Sequence, residues 1–95
     1  MEDNRNGWHT DGDGTRRHFC NRLLDREDGP AVIDKGGSQW WFRNGKCHRE
    51  DGPAVIYPDG SLHWYLNGKP TDMETVLDTP EKREAYLLEE SLRRL

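Results

Sequence analysis

The chain has 95 residues, of which 32% are hydrophobic and 34% charged, and it carries a formal net charge of −4. This length supports one modest domain, and the lean apolar fraction favours a single sheet with one covering element over a deep two-layer core. The mild acidic charge disfavours a nonspecific nucleic-acid binder, and no apolar run reaches the length of a membrane span. No specific nucleic-acid partner is expected.

Two cysteines, Cys20 and Cys47, are too few to indicate a disulfide framework. Residues 1–5 carry neither the basic start nor the apolar stretch of a secretory signal. We therefore expect a cytoplasmic protein without a membrane partner.

Internal repetition is the strongest pattern in the sequence. Residues 26–33 and 49–56 both read REDGPAVI, an offset of 23 residues, and the tripeptide NGK at 44–46 returns at the same offset at 67–69. Shifting the frame back by one unit finds a worn copy, in which Asn21 takes the place of the first of these asparagines. The sequence thus predicts a single domain over 1–95, with a degenerate repeat at 7–25, repeats at 26–48 and 49–71, and a C-terminal helical cap at 72–95.

Each unit has the pattern of paired strands. Short β-prone runs at 31–33 and 54–57 lead into turns, and the aromatic-rich segments 38–43 and 61–66 then end in Asn-Gly. Asn and Gly both tolerate left-handed backbone geometry, so this dipeptide is a strong two-residue hairpin signal. The predicted fold is mainly β (α+β). It is an antiparallel β-meander of tandem 23-residue hairpin repeats, with about six strands in a single twisted sheet.

A C-terminal helix is predicted to cover or cap this sheet. Thr79 suits the N-cap, Pro80 the first helical position and Glu81 the first turn. The apolar residues that follow fall on one helical stripe: Ala85, Leu88, Leu92 and Leu95. We expect this stripe to lie on the sheet or to plug its open edge, and a homodimer formed through the helix is the alternative.

The aromatic strands divide into two faces. Phe19, Phe42 and Tyr65 form a column that is aromatic in every copy and suits the core under the helix. The opposite face mixes tryptophan with polar side chains, as binding surfaces do. Its members are the expected partner-binding residues: Trp41, Trp64, Arg16, His18, Gln39 and Arg43. The alternative is that both tryptophans are packing residues as well.

We expect no catalytic site. A catalytic centre is needed once and a turn in every unit, so the repetition of Arg-Glu-Asp favours a structural role. No sequence motif of an activated nucleophile is present. Four residues are possible zinc ligands, but their spacings match no compact zinc knuckle: His18, Cys20, Cys47 and His48. No metal or cofactor is expected.

The pattern NGK-x-HRE-DGPA-x-I at residues 44–56 resembles the MORN-like repeats of bacteriophage and large-virus proteins, over roughly residues 7–72. MORN repeats form β-hairpin arrays that serve as protein-binding or lipid-binding scaffolds. The resemblance implies a non-enzymatic protein-binding module, encoded by a phage, that binds and inhibits a host protein or complex such as a component of antiviral defence. The alternative is a repeat that binds lipid or sequesters a small ligand such as a nucleotide.

Overall fold

The computed structural model describes residues 6–93, which form a mainly antiparallel β-structure with a C-terminal helix. Two helices follow the strands: α1 (Met73–Val76) and α2 (Pro80–Arg93). The strands in chain order are β1 (Gly7–Thr10), β2 (Arg16–Cys20), β3 (Leu23–Leu24), β4 (Val32–Ile33), β5 (Gln39–Trp40), β6 (Phe42–Arg43), β7 (Lys46–Cys47), β8 (Val55–Ile56), β9 (Leu62–Leu66) and β10 (Lys69–Thr71).

The main sheet has the order β1-β2-β4-β5-β8-β9-β10, with β3 added to β2, and β6-β7 form a separate hairpin. Trp41 shows how one extended segment serves both sheets. Its N–H donates to the carbonyl of Ala54 at 2.8 Å, and its carbonyl accepts from the N–H of His48 at 3.0 Å. Because such segments change partners midway, the described chain has ten short strands instead of the predicted six or so.

Three hairpin turns have the same left-handed backbone. Asn44 and Gly45 have φ angles of 51° and 79°, and the turn at Asn67 and Gly68 repeats these values closely, at 52° and 81°. The earliest turn reaches the same geometry with Asn21 at 50° and with an arginine, Arg22, at 74°. A positive φ at both central residues is the two-residue turn whose twist matches that of the flanking strands.

Each later turn is attached to the hairpin before it. The N–H of Asn44 donates to Asp25 Oδ2 at 2.7 Å, and the N–H of Asn67 donates to His48 Nδ1 at 2.9 Å. Since Nδ1 of His48 accepts, its Nε2 carries the proton and donates to Glu50 Oε2 at 2.9 Å. These contacts hold successive hairpins in a fixed stack.

The helical entry follows the predicted chemistry. Pro80 is the first residue of α2, and the hydroxyl of Thr79 accepts from the N–H of Lys82 at 3.2 Å, which confirms Thr79 as the N-cap. Asp72 caps α1 in the same way, accepting from the N–H of Thr75 at 2.8 Å. Hydrogen bonds from Thr75 lower the pKa of the Asp72 carboxyl below its ordinary value.

The helix packs on the sheet with a different side from the predicted one. Its buried residue is Tyr86, which packs with Val76 and Leu77 against Trp64 and Leu66 of β9. The prediction that the Phe19, Phe42 and Tyr65 column lies under the helix is therefore wrong, because Trp64 and Tyr65 point to opposite sides of β9.

The predicted covering stripe faces away from the sheet. Leu88 is 63% exposed and Leu92 is 61% exposed, Ala85 is also exposed, and Leu95 lies outside the described residues. The Tyr86 ring meets the Trp64 ring edge-on, with their centroids 5.7 Å apart. The leucine stripe does not offer such a contact between two large aromatic side chains. Tertiary contact thus decides the orientation against the apolar periodicity. Within residues 6–93, no helix is long and apolar enough to cross a membrane.

Replacing Arg22 with glycine tests the turn geometry. Glycine adopts a φ of +74° without the steric cost that arginine meets there. We expect Arg22→Gly to raise the free energy of unfolding by about 0.5–1 kcal/mol, measured by urea denaturation followed by tryptophan fluorescence. The matched control is Gly45→Arg at the corresponding turn position, which should lower it by about 1–2 kcal/mol. A destabilised Arg22→Gly variant would contradict this account of the turn.

Candidate partner-binding groove

A groove of about 890 Å³ lies between the two Arg-Glu-Asp turns; we call it the central groove. Its walls come from both turns, from the hairpin at the end of β6, and from α2. Its lining residues include Arg26, Trp41, Arg43, Lys46, Arg49 and Glu89.

Arg49 is a buried cation whose three nitrogens are all bound. Its Nε donates to Asp51 Oδ1 at 2.9 Å and its Nη1 to the carbonyl of Pro53 at 3.1 Å, both within its own turn. Its Nη2 donates to Glu89 Oε1 of α2 at 2.5 Å. The guanidinium lies 4.1 Å from the centre of the Trp41 ring, and 5% of the side chain is exposed. A guanidinium can satisfy such a set because its donors are fixed in one plane.

Gly52 leaves the space that the Arg49 guanidinium occupies. A Cβ at position 52 would lie 2.5 Å from Cζ of Arg49, closer than carbon atoms approach. These contacts explain why arginine, aspartate, glycine and proline occur in this order in the segment Arg-Glu-Asp-Gly-Pro. The arginine folds back over the glycine, the aspartate accepts from Nε, and the proline carbonyl accepts from Nη1. We call this arrangement the arginine turn.

Arg26 forms a second arginine turn with the same contacts. Its Nε donates to Asp28 Oδ1 at 3.1 Å and its Nη1 to the carbonyl of Pro30 at 3.1 Å. A Cβ on Gly29 would lie 2.8 Å from Cζ of Arg26. The aromatic ring beside it is Trp8, with its centre 5.0 Å away. Within residues 6–93, each of these two arginines therefore pairs with the aspartate of its own turn.

Two of the expected partner-binding residues, Trp41 and Arg43, lie together in the central groove. Both are half-buried, and the Trp41 ring lies against the guanidinium of Arg49. Nε of Arg43 lies 3.2 Å from Asp25 Oδ1, in an ion pair whose alignment is too poor for a hydrogen bond. Both groups are held in place before any partner binds.

Arg16 and His18 gather around Trp8 beside the groove. Cζ of Arg16 lies 4.7 Å from the Trp8 ring centre, and the His18 ring meets that ring edge-on at 5.1 Å. Nδ1 of His18 is 2.7 Å from the carbonyl oxygen of Asp25. Trp8 also contacts Arg26, so this cluster adjoins the central groove. The sequence reasoning missed Trp8 because its position has no tryptophan counterpart one unit later.

Gln39 and Trp64 lie elsewhere. Gln39 lines a smaller cavity of about 320 Å³ with Tyr57 and Arg93. Trp64 is half-buried against Tyr86 under the helix. The structure therefore brings four of the six expected residues to the groove and its margin, and separates these two from them.

The four possible zinc ligands do not come together in one site. Within residues 6–93, no group of three or more His, Cys, Asp or Glu side chains is placed to hold a metal ion. His48 is committed to Asn67 and Glu50, and burial raises the pKa of the Cys47 thiol to about 11. Cys47 is therefore a protonated packing group at neutral pH.

The chemistry that the groove offers is recognition of charged and aromatic groups. Guanidinium and carboxylate groups line the groove together with the indole of Trp41, which suits ion pairs and hydrogen bonds with a complementary surface. Comparison with protein-family models, curated proteins and solved structures finds no match.

Adding one methyl group at Gly52 tests the arginine turn. Gly52→Ala must push the guanidinium of Arg49 away from Asp51, Pro53 and Glu89, which leaves a buried charge without its partners. We expect a loss of about 2–4 kcal/mol in the free energy of unfolding, measured by urea denaturation.

Gly12→Ala is the matched control for this substitution. A Cβ at position 12 meets nothing within 4 Å, so the change should stay within about 0.5 kcal/mol of the parent chain. Equal effects of the two substitutions would show that the space over Gly52 is not needed for the arginine turn.

Proposed function

We propose that this chain is a non-enzymatic protein-binding module that engages a host protein or complex through the central groove. On this proposal it is an array of tandem 23-residue MORN-like hairpin units with a helical cap, encoded by a phage. It acts in the host cytoplasm by binding and inhibiting its target, such as a component of antiviral defence. The observation that carries the proposal is the groove between the two arginine turns, with Trp41 and Arg43 in its walls.

The fixed positions of the groove side chains support binding. Trp41 is covered by Arg49, and Arg43 is paired with Asp25, so these groups lose little conformational freedom when a partner arrives. Tryptophan and arginine are also the side chains that dominate binding energy at protein interfaces. A groove that is already ordered therefore favours a specific protein complex.

The charge pattern favours a protein partner over an anionic polymer or lipid surface. Lys46 and Arg43 line the groove together with Glu27 and Glu50, so the groove carries both positive and negative groups. Nucleic acids and anionic lipids are attracted by continuous basic surfaces, which a groove lined by both signs does not provide. A folded protein can match both signs, and this matching gives specificity.

Affinity capture from bacterial lysate, read by mass spectrometry, tests the proposal. The baits are the parent chain, Lys46→Glu and Lys35→Glu. Lys46 is exposed in the groove, and within residues 6–93 it has no ion pair. Lys35 is equally exposed but lies outside the groove, so the two variants carry the same charge change.

We expect one host protein to be enriched by the parent chain and by Lys35→Glu. Its capture should fall by at least about fivefold with Lys46→Glu, since reversing a charge at an interface costs on the order of 1 kcal/mol. Circular dichroism checks that each bait is folded. Equal capture of the host protein by all three baits would show that the binding site lies outside the groove. Empty eluates from folded baits would favour the small-ligand or lipid alternative.

A further inference from the structure

Arg26 and Arg49 have the same guanidinium contacts within their turns, but in the described part of the chain only Arg49 has a partner for its third nitrogen, Nη2. Each uses Nε and Nη1 within its own turn. Nη2 of Arg49 is bound by Glu89, and 5% of that side chain is exposed. For Arg26 the exposed fraction is 27%, and within residues 6–93 its one carboxylate partner is Asp28, through Nε. The two turns are otherwise matched, so the difference lies in the absent counterpart of Glu89.

We propose that Arg26 is the point at which a carboxylate of the partner protein docks, carried as Glu or Asp on a helix and bound by Nη2 as Glu89 is bound by Arg49. The proposal rests on the protein-binding function proposed above and names the chemistry of the partner. The internal Glu89 contact is the precedent for both the group and the element that carries it.

Acidic neighbours do not prevent such a contact. Glu27 and Asp28 flank Arg26 on its turn, just as Glu50 and Asp51 flank Arg49 on the other. Glu89 pairs with Arg49 in spite of that flanking charge, because the fork offers a directed, charge-assisted hydrogen bond. Lys46 is exposed and lines the same groove as Arg26, so it adds a positive charge to that groove.

A helix is the element that fits this position. In the chain itself, α2 brings Tyr86 onto Trp64 and Glu89 onto Arg49 from one side of the same helix. The corresponding aromatic position one unit earlier is Trp41, which is already covered by Arg49. A partner helix at Arg26 therefore needs the carboxylate and does not need an aromatic anchor.

Side-chain NMR of the full chain, labelled with ¹⁵N, tests the proposal without any host protein. The probe is a synthetic peptide with the sequence of residues 79–93, stapled through positions 88 and 92 so that it is helical. The control peptide differs by Glu89→Gln. We expect the Nε–Hε signal of Arg26 to shift saturably with the first peptide, with about tenfold weaker binding of the control. The signal of Arg49 should not move.

Arg26→Lys keeps the charge and removes the fork, and in this variant the two peptides should bind with equal, weak affinity. Circular dichroism shows whether the variant is folded, and the two-peptide comparison on the parent chain does not depend on it.

Several results would overturn the proposal: no shift, an equal response to both peptides, or a shift confined to Arg49. Tighter binding of inorganic phosphate than of the peptide would assign the fork to a phosphate group instead. An empty lysate capture with a positive titration would count against the proposed host target and not against the carboxylate site.

Discussion

The guanidinium of Arg49, folded back over Gly52 and enclosed by Asp51, Pro53 and Glu89, joins its own turn to the C-terminal helix. Moving a cation out of water costs several kcal/mol, and only good geometry and further hydrogen bonds offset that cost. Here each guanidinium nitrogen has an acceptor, and Trp41 provides a ring face at 4.1 Å. The price of burial is thus met by contacts that also fix the backbone.

This constraint matters because the apolar core is small. The buried side chains of the β-structure are short, as at Ala31, Ala54 and Val55, and the larger cluster lies where α2 covers β9. A polar contact with a fixed direction supplies order that a thin apolar layer supplies poorly. The same contact shapes the groove wall. Stability and the candidate binding surface therefore depend on one set of residues.

Much of the fold was predictable because its signals are local. The turn at Asn44 and Gly45 and the helix start at Thr79 and Pro80 depend on backbone preferences of one or two residues. The inward side of α2 was not predictable from periodicity. Leu88 has the right spacing, but Tyr86 packs against Trp64, which lies on β9 and is distant in sequence.

The candidate site was predictable in part. Trp41 and Arg43 follow from the aromatic strand pattern, whereas Trp64 has the same pattern and is covered by the helix. The packing of the arginine side chain over its glycine has a recognisable sequence pattern. Arginine, aspartate and glycine keep a fixed spacing before each proline, and this repetition indicates a structural role but not its geometry. Only the atomic contacts show why the glycine is needed.

The central claim is that the Arg49 guanidinium is held in place by its hydrogen bonds. ¹H–¹⁵N NMR of the arginine side chains at neutral pH tests it most directly, with Arg49→Lys used to assign the signals. If Arg49 is held by Asp51, Pro53 and Glu89, rotation about its C–N bonds is blocked. Its Nη hydrogens should then give separate, slowly exchanging signals, while those of the exposed Arg22 should be averaged. A single averaged signal for Arg49, like that of Arg22, would contradict the account.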